Sequence, residues 1–119
     1  MKKILIVEDN LDLSDMYKIA FESKGFEIAV CSNGINAVSQ VDTFQPDVVL
    51  LDIMMPFVSG LDFLKTIRSK GNSVKIIVNS NLGQDSDIEK ATELGADKYL
   101  KKADHTPFEV VEIVAAMID

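Results

Sequence analysis

The stretch Asp47-Val48-Val49-Leu50-Leu51-Asp52-Ile53-Met54-Met55-Pro56 decides how this chain is read. Val48–Leu51 shows no polar alternation, the pattern of a strand covered on both faces, and such strands lie inside parallel sheets. The run closes on an acid, Asp52. Ile4-Leu5-Ile6-Val7 repeats the arrangement and closes on Glu8-Asp9. Acids that close buried parallel strands gather at one end of the sheet. There they repel one another unless a cation offsets them, and with a cation they invite a phosphoryl group.

Outward from these two runs, strand and helix periods alternate to the end of the chain. Lys2–Val7 reads as a strand. Leu11–Ser23 reads as a helix with Leu13, Met16, Tyr17, Ala20 and Phe21 facing in, and Gly25 stops it. Glu27–Cys31 is a strand. Ile35–Phe44 is a helix capped by Ser32 or Asn33, with Ala37, Val38, Val41 and Phe44 inward. Pro46 then precedes the strand Asp47–Leu51. Gly60–Ser69 is a helix carrying Leu61, Leu64 and Ile67 on one face, followed by the strand Val74–Val78. Ser86–Leu94 is a helix stopped by Gly95, and Lys98–Lys101 is a short strand. Thr106 caps a last helix, Phe108–Ile118, with Pro107 at its first position and Phe108, Val111, Ile113, Val114, Met117 and Ile118 on a broad apolar face.

Strict alternation of five strands and five helices is an α/β fold of (βα)5 type, with helical right-handed crossovers between parallel strands and helices on both faces. Its 119 residues suit a single domain, 1–119. The longest apolar runs are too short for a transmembrane helix. Met1-Lys2-Lys3-Ile4 opens like a signal peptide, but Glu8-Asp9 ends any apolar core for one, and the expected location is cytoplasmic. A formal net charge of −7 opposes direct nucleic-acid binding. Cys31, the single cysteine, allows no internal disulfide and has no zinc partners at ligand spacing. Open α/β sheets bind ligands beyond the C-terminal ends of their strands. The residues there are Glu8 and Asp9, Asp52, Ser80 and Lys102, with only Ser32 and Asn33 after the second strand.

Together these pieces resemble the receiver domain of two-component response regulators, in particular its stand-alone members. The matching segments are Ile6-Val7-Glu8-Asp9-Asn10, Asp47 to Pro56 with Gly60, Ser80, Leu94-Gly95-Ala96-Asp97, and Tyr99-Leu100-Lys101-Lys102. They cover essentially the whole chain in order. The resemblance implies a doubly wound, flavodoxin-like sheet of order 2-1-3-4-5. It implies Asp52 as the nucleophile that becomes an aspartyl phosphate. Glu8, Asp9, Asp52 and the backbone carbonyl of Met54 would hold Mg2+, for which Mn2+ can substitute, with Asp9 as a direct ligand. Lys102, three residues after Tyr99, would offset the acids, while Lys101 points elsewhere by strand alternation. Ser80 would hydrogen-bond a phosphoryl oxygen. Ser80 and Tyr99 would form the switch read by a partner. Pro56 and Gly60 would shape the loop, Gly60 through a backbone angle or a helix entry denied to other residues.

The implied partners are a histidine kinase or a histidine phosphotransfer protein as donor, and a downstream protein or a C-terminal output domain as receiver of the signal. The last helix has no Lys or Arg, which suits a monomer or a weak dimer. Departures from the family pattern are Ala103 in place of a proline after Lys102, leaving a cis or a trans bond open, and Asn81 in place of a small residue. Phe57, just after the acceptor, is expected to be exposed. Met54 and Leu82 cannot orient a hydrolytic water, so the phosphoryl group is expected to last minutes or longer. His105 has no expected role. Two other readings are a receiver that binds a partner without phosphorylation, and an Asp-nucleophile phosphatase. The second lacks an acid–base residue beside Asp52, where Ile53 and Met54 follow. A nucleotide-binding fold lacks its glycine-rich turn, since Glu8-Asp9-Asn10 stands there.

Overall fold

A computed structural model describes residues 2–53, 59–81 and 85–118, with the side chains of Asp85 and Ser86 left aside. Met54, Pro56, Phe57 and Leu82 therefore lie outside the described residues. The elements are β1 (Lys3–Val7), α1 (Leu11–Glu22), β2 (Glu27–Cys31), α2 (Gly34–Phe44), β3 (Val48–Leu51), α3 (Gly60–Ser69), β4 (Lys75–Ser80), α4 (Asp85–Glu93), β5 (Lys98–Lys101) and α5 (Pro107–Ile118), with one 3-10 turn at Lys102–Asp104. The strands form one parallel sheet in the order β2-β1-β3-β4-β5. Element type and order agree with the sequence expectation throughout.

Two apolar layers sandwich the sheet. Leu5, Val7, Val49, Leu51, Ile76 and Val78 face α2, α3 and α4 through Ala37, Val41, Phe63, Leu64, Ile67 and Ala91. Ile4, Ile6, Val48, Leu50 and Ile77 face α1 and α5 through Tyr17, Phe21, Val110, Val111 and Val114. Val48–Leu51 is buried on both faces, which is why that run lacks alternation.

Helix starts follow the capping chemistry. The side chains of Asn10, Asn33 and Ser59 accept from the backbone N–H groups of Leu13, Asn36 and Asp62. Thr106 and Glu109 bond reciprocally at the start of α5, at 3.0 and 3.2 Å, a capping box. At the end of α2, Gln45, at φ 51°, takes the left-handed position usually given to glycine.

Some expectations are corrected. β4 continues through Asn79 to Ser80, so Ser80 closes the strand rather than following it. Pairing with β5, where Ser80 lies opposite Lys101, overrides the poor strand propensity of asparagine. Met16 and Phe108, assigned to inward faces, are 52 % and 66 % exposed. Each sits at the edge of its helix's inward stripe, and Tyr17 and Phe21 in α1 and Val110, Val111 and Val114 in α5 fill the interior instead. Gly60 is not in a glycine-only conformation; it is needed for room. A Cβ there would run into Ile53 Cα and stand 2.8 Å from the Asp52 carbonyl oxygen. Helix entry, not backbone angle, is the reason for this glycine.

One structural residue escaped the sequence reading. Arg68 donates to the carbonyls of Gly95, Asn72 and Val74 at 2.7 to 3.0 Å and pairs with Asp97 at 3.1 Å. Asp97 also accepts from Ile76 N–H at 2.8 Å. The Leu94-Gly95-Ala96-Asp97 segment thus ties α3 to the start of β4.

Candidate functional site

Strand register builds the site. Val7 pairs with Leu51, and Leu51 with Val78. The residues that follow, Glu8, Asp52 and Asn79, therefore stand in one row at the C-terminal ends of three adjacent strands. Backbone bonds hold the row: Asp52 N–H donates to Val7 O at 2.9 Å and Glu8 N–H to Cys31 O at 3.0 Å. Both acids are buried, at 3 % and 5 % exposure, and Asp9 is exposed. One carboxylate oxygen from each of Glu8, Asp9 and Asp52 lies within 4.8 Å of the others.

Lys102 enters from the turn after β5. Its ammonium donates to Glu8 Oε2 at 2.8 Å, Glu8 Oε1 at 3.0 Å and Asp52 Oδ2 at 3.1 Å. Burial drives the Glu8 carboxyl up to about 7, with the Asp52 charge pushing the same way and Lys102 opposing. Burial pulls the Lys102 amine down, but its bonds and charges with Glu8 and Asp52 outweigh that, and the net shift is upward. The ammonium stays charged and the site is held together by one cation facing crowded acids.

Ser80 is buried, and Tyr99, half-buried, packs on the layer that faces α2 to α4. Burial raises the Tyr99 hydroxyl, the Asp87 charge adds to that, and a hydrogen bond with Ser80 works against it. The two residues named as a switch are thus in contact. Lys101 is exposed, as alternation requires. No cis peptide bond occurs among the described residues, so the Lys102–Ala103 bond is trans and its residues form the 3-10 turn. The contribution of Met54 and the loop role of Pro56 lie outside the described residues.

The donor set suits a hard cation. Three carboxylates, one of them open to solvent, offer oxygen ligands and leave room for water, as Mg2+ or Mn2+ requires. The acidic triad can coordinate such an ion.

The model of the response regulator receiver domain matches residues 4–117. The chain belongs to the response regulator receiver domain family. This receiver domain is 37 % identical over 120 residues to a probable transcriptional regulatory protein of Picosynechococcus sp., covering 95 % of the chain and 46 % of that protein. It is 34 % identical over 114 residues to the DNA-binding response regulator MtrA of Mycobacterium tuberculosis, covering 96 % and 48 %. It spans about half the length of these curated relatives. Among solved structures, the Francisella response regulator 1452 receiver domain superposes with a TM-score of 0.91 at 26 % identity, covering 99 % of this chain and 97 % of that one. The family and the acidic triad together make this a phosphorylation-controlled receiver with a site for Mg2+. No helix among the described residues is long and apolar enough to cross a membrane.

The sequence reading missed Asn79 and its partner Tyr17. The Asn79 amide donates to the Tyr17 hydroxyl at 2.7 Å, on the α1 and α5 side of the sheet beneath the buried Glu8 and Asp52. The available signal is an Asn directly before Ser80, at a place where β4 continues beyond its apolar run.

Proposed function

We propose that Asp52 accepts a phosphoryl group from a phosphohistidine on a histidine kinase or phosphotransfer protein. One observation carries this reading: the Lys102 ammonium touches Asp52 and Glu8 together, within a cluster that Asp9 completes. Phosphoryl transfer needs in-line positioning and charge neutralisation more than covalent help. An Asp52 carboxylate oxygen attacks phosphorus, the P–O bond forms as the P–N bond breaks, and the imidazole leaves with the electron pair. Lys102 stays beside the acceptor to offset the added charge. Mg2+, or Mn2+, held by Glu8, Asp9, Asp52 and the Met54 carbonyl, supplies the remaining positive charge when bound.

Ser80 then donates its hydroxyl to a phosphoryl oxygen. That withdraws the bond it makes to Tyr99, and the Tyr99 ring repacks. The result is a population shift on the face formed by α4, β5 and α5. A downstream protein or an attached C-terminal domain reads it. This acidic segment does not itself contact nucleic acid. Residues 1–119 act as one cytoplasmic receiver unit, monomeric or weakly dimeric.

The test is incubation with Mg2+ and acetyl phosphate, read by intact mass and by alkali-labile, hydroxylamine-labile label. The parent takes up one phosphoryl group and Asp52→Asn takes up none. A parent that stays unmodified, or an Asp52→Asn chain that labels equally, refutes the proposal. Steady turnover of a phosphomonoester would favour a phosphatase instead.

A further inference from the structure

We propose that Tyr17 and Asn79 are positioning residues for the acid site, setting where the Glu8 carboxylate lies and hence how tightly the site holds its cation. The inference rests on the receiver reading above and goes beyond it, since it concerns a pair on the inner side of the acid row.

The row is the first observation. Glu8, Asp52 and Asn79 follow the paired residues Val7, Leu51 and Val78. By strand alternation all three side chains point to the face that carries Ile6, Leu50 and Ile77, the face covered by α1 and α5. The third place in the acid row is therefore an amide. Tyr17, from α1, closes over it.

The second observation is burial without full satisfaction. Asn79 and Tyr17 are each 2 % exposed. Asn79 Nδ2 donates to the Tyr17 hydroxyl at 2.7 Å, while Asn79 Oδ1 has no hydrogen-bond partner among the described residues. An asparagine at a place where Leu or Val would fill the layer is costly unless it does something else.

The third observation is what surrounds the pair. Ile6, Val7, Glu8, Tyr17, Leu50, Asp52 and Asn79 line a narrow crevice with no room for a water molecule. Water cannot mediate between the pair and the acids. The Tyr17 hydroxyl responds to its burial first, to Asn79 next, and then to the charges of Lys102, Glu8 and Asp52. Because the Asn79 amide fills a lone pair on the Tyr17 oxygen, the phenolic proton is directed away from that amide. The other polar walls of the pocket are Glu8 and Asp52. The Tyr17 hydroxyl thus shares this crevice with the Glu8 and Asp52 carboxylates, and the packed Tyr17 side chain would limit how far Glu8 can withdraw from Lys102 and the cation. Outer groups that orient a ligand carboxylate govern metal affinity without touching the metal.

The experiment compares the parent, Tyr17→Phe, and the double variant Tyr17→Phe with Asn79→Leu. Mg2+ affinity is read by calorimetric titration and by amide chemical shifts, and folding by urea melts without Mg2+. Removing both partners leaves no orphaned polar atom, so the double variant is expected to be at least as stable as the parent. Its Mg2+ Kd is nevertheless expected to rise about tenfold, and Tyr17→Phe, which keeps the ring, shows the same direction. A double variant with the parent's Mg2+ Kd overturns the inference and marks the pair as core polarity only. A parent that binds no Mg2+ overturns this inference and the proposed function together. A parent that binds Mg2+ and is phosphorylated on Asp52, beside a double variant of unchanged Kd, overturns the inference alone.

Discussion

Replacing Lys102 by Met should destabilise the Mg2+-free protein by an amount that grows with pH above neutrality. Met keeps most of the buried stem and removes the ammonium, and with it the contacts at 2.8, 3.0 and 3.1 Å. Breaking a buried pair from one side costs about 3–5 kcal/mol when the remaining charge has no escape. Glu8 has one, because it can take a proton. In the parent its carboxyl is raised from 4.5 to about 7 by burial, Lys102 opposing. The folded state therefore binds more protons than the unfolded state between those two values, and stability declines as pH rises through that window. Above the window the parent penalty stops growing. In the variant Glu8 remains protonated to higher pH, and its penalty keeps growing by about 1.4 kcal/mol per pH unit. At about pH 8 the Glu8 share of the loss is thus capped near 1.4 kcal/mol, and at about pH 6, where both proteins carry neutral Glu8, it is roughly zero. The lost bond to Asp52 adds about 1.5 kcal/mol at either pH. The expected losses are about 3 kcal/mol at pH 8, or roughly 10 °C in Tm, and about 1.5 kcal/mol at pH 6. Lys102 itself stays charged over this range, its amine being raised. Urea melts in EDTA at the two pH values measure the difference. Equal losses at both, or no loss at pH 8, would show that the ammonium is not what offsets the buried Glu8 charge.

Three further outcomes are expected. Gly60→Ala should cost about 1–3 kcal/mol through overpacking against Ile53, seen as a lower urea midpoint at unchanged slope; an unaltered midpoint would mean that α3 shifts freely. Mg2+ binding should release protons at about pH 6 to 7, because the cation needs Glu8 ionised while its carboxyl is raised to about 7. Calorimetry in two buffers of different ionisation enthalpy measures this, and an identical apparent enthalpy in both would count against it. The phosphorylated protein in Mg2+ should keep its phosphoryl group for minutes or longer, since Met54 and Leu82 offer no group to orient the attacking water; decay within a few seconds would contradict that.

While the choice of Asn33 over Ser32 as the α2 cap was not legible in the chain, the order and type of the elements, the capping Thr106, and the strand-end acids were. These depend on local periods and on which residue follows each apolar run, and strand and helix periods differ enough to be told apart. The receiver resemblance added roles that no period could supply, such as the choice of Lys102 over Lys101. Faces at helix margins were less legible: Met16 and Phe108 are as apolar as their buried neighbours, and only the docking angle of each helix on the sheet left them outward.

The sequence by itself determined a five-stranded α/β chain with Glu8, Asp9, Asp52, Ser80 and Lys102 placed at strand ends. The tertiary structure decided that the Lys102 ammonium lies on Glu8 at 2.8 Å more closely than on Asp52 at 3.1 Å, that Gly60 is required by Ile53, and that Asn79 joins the acid row under Tyr17. The division has a physical cause. Side-chain alternation is written along one strand, whereas the level at which three strands end, and the helix that covers them, is set by register and packing between residues distant in the chain.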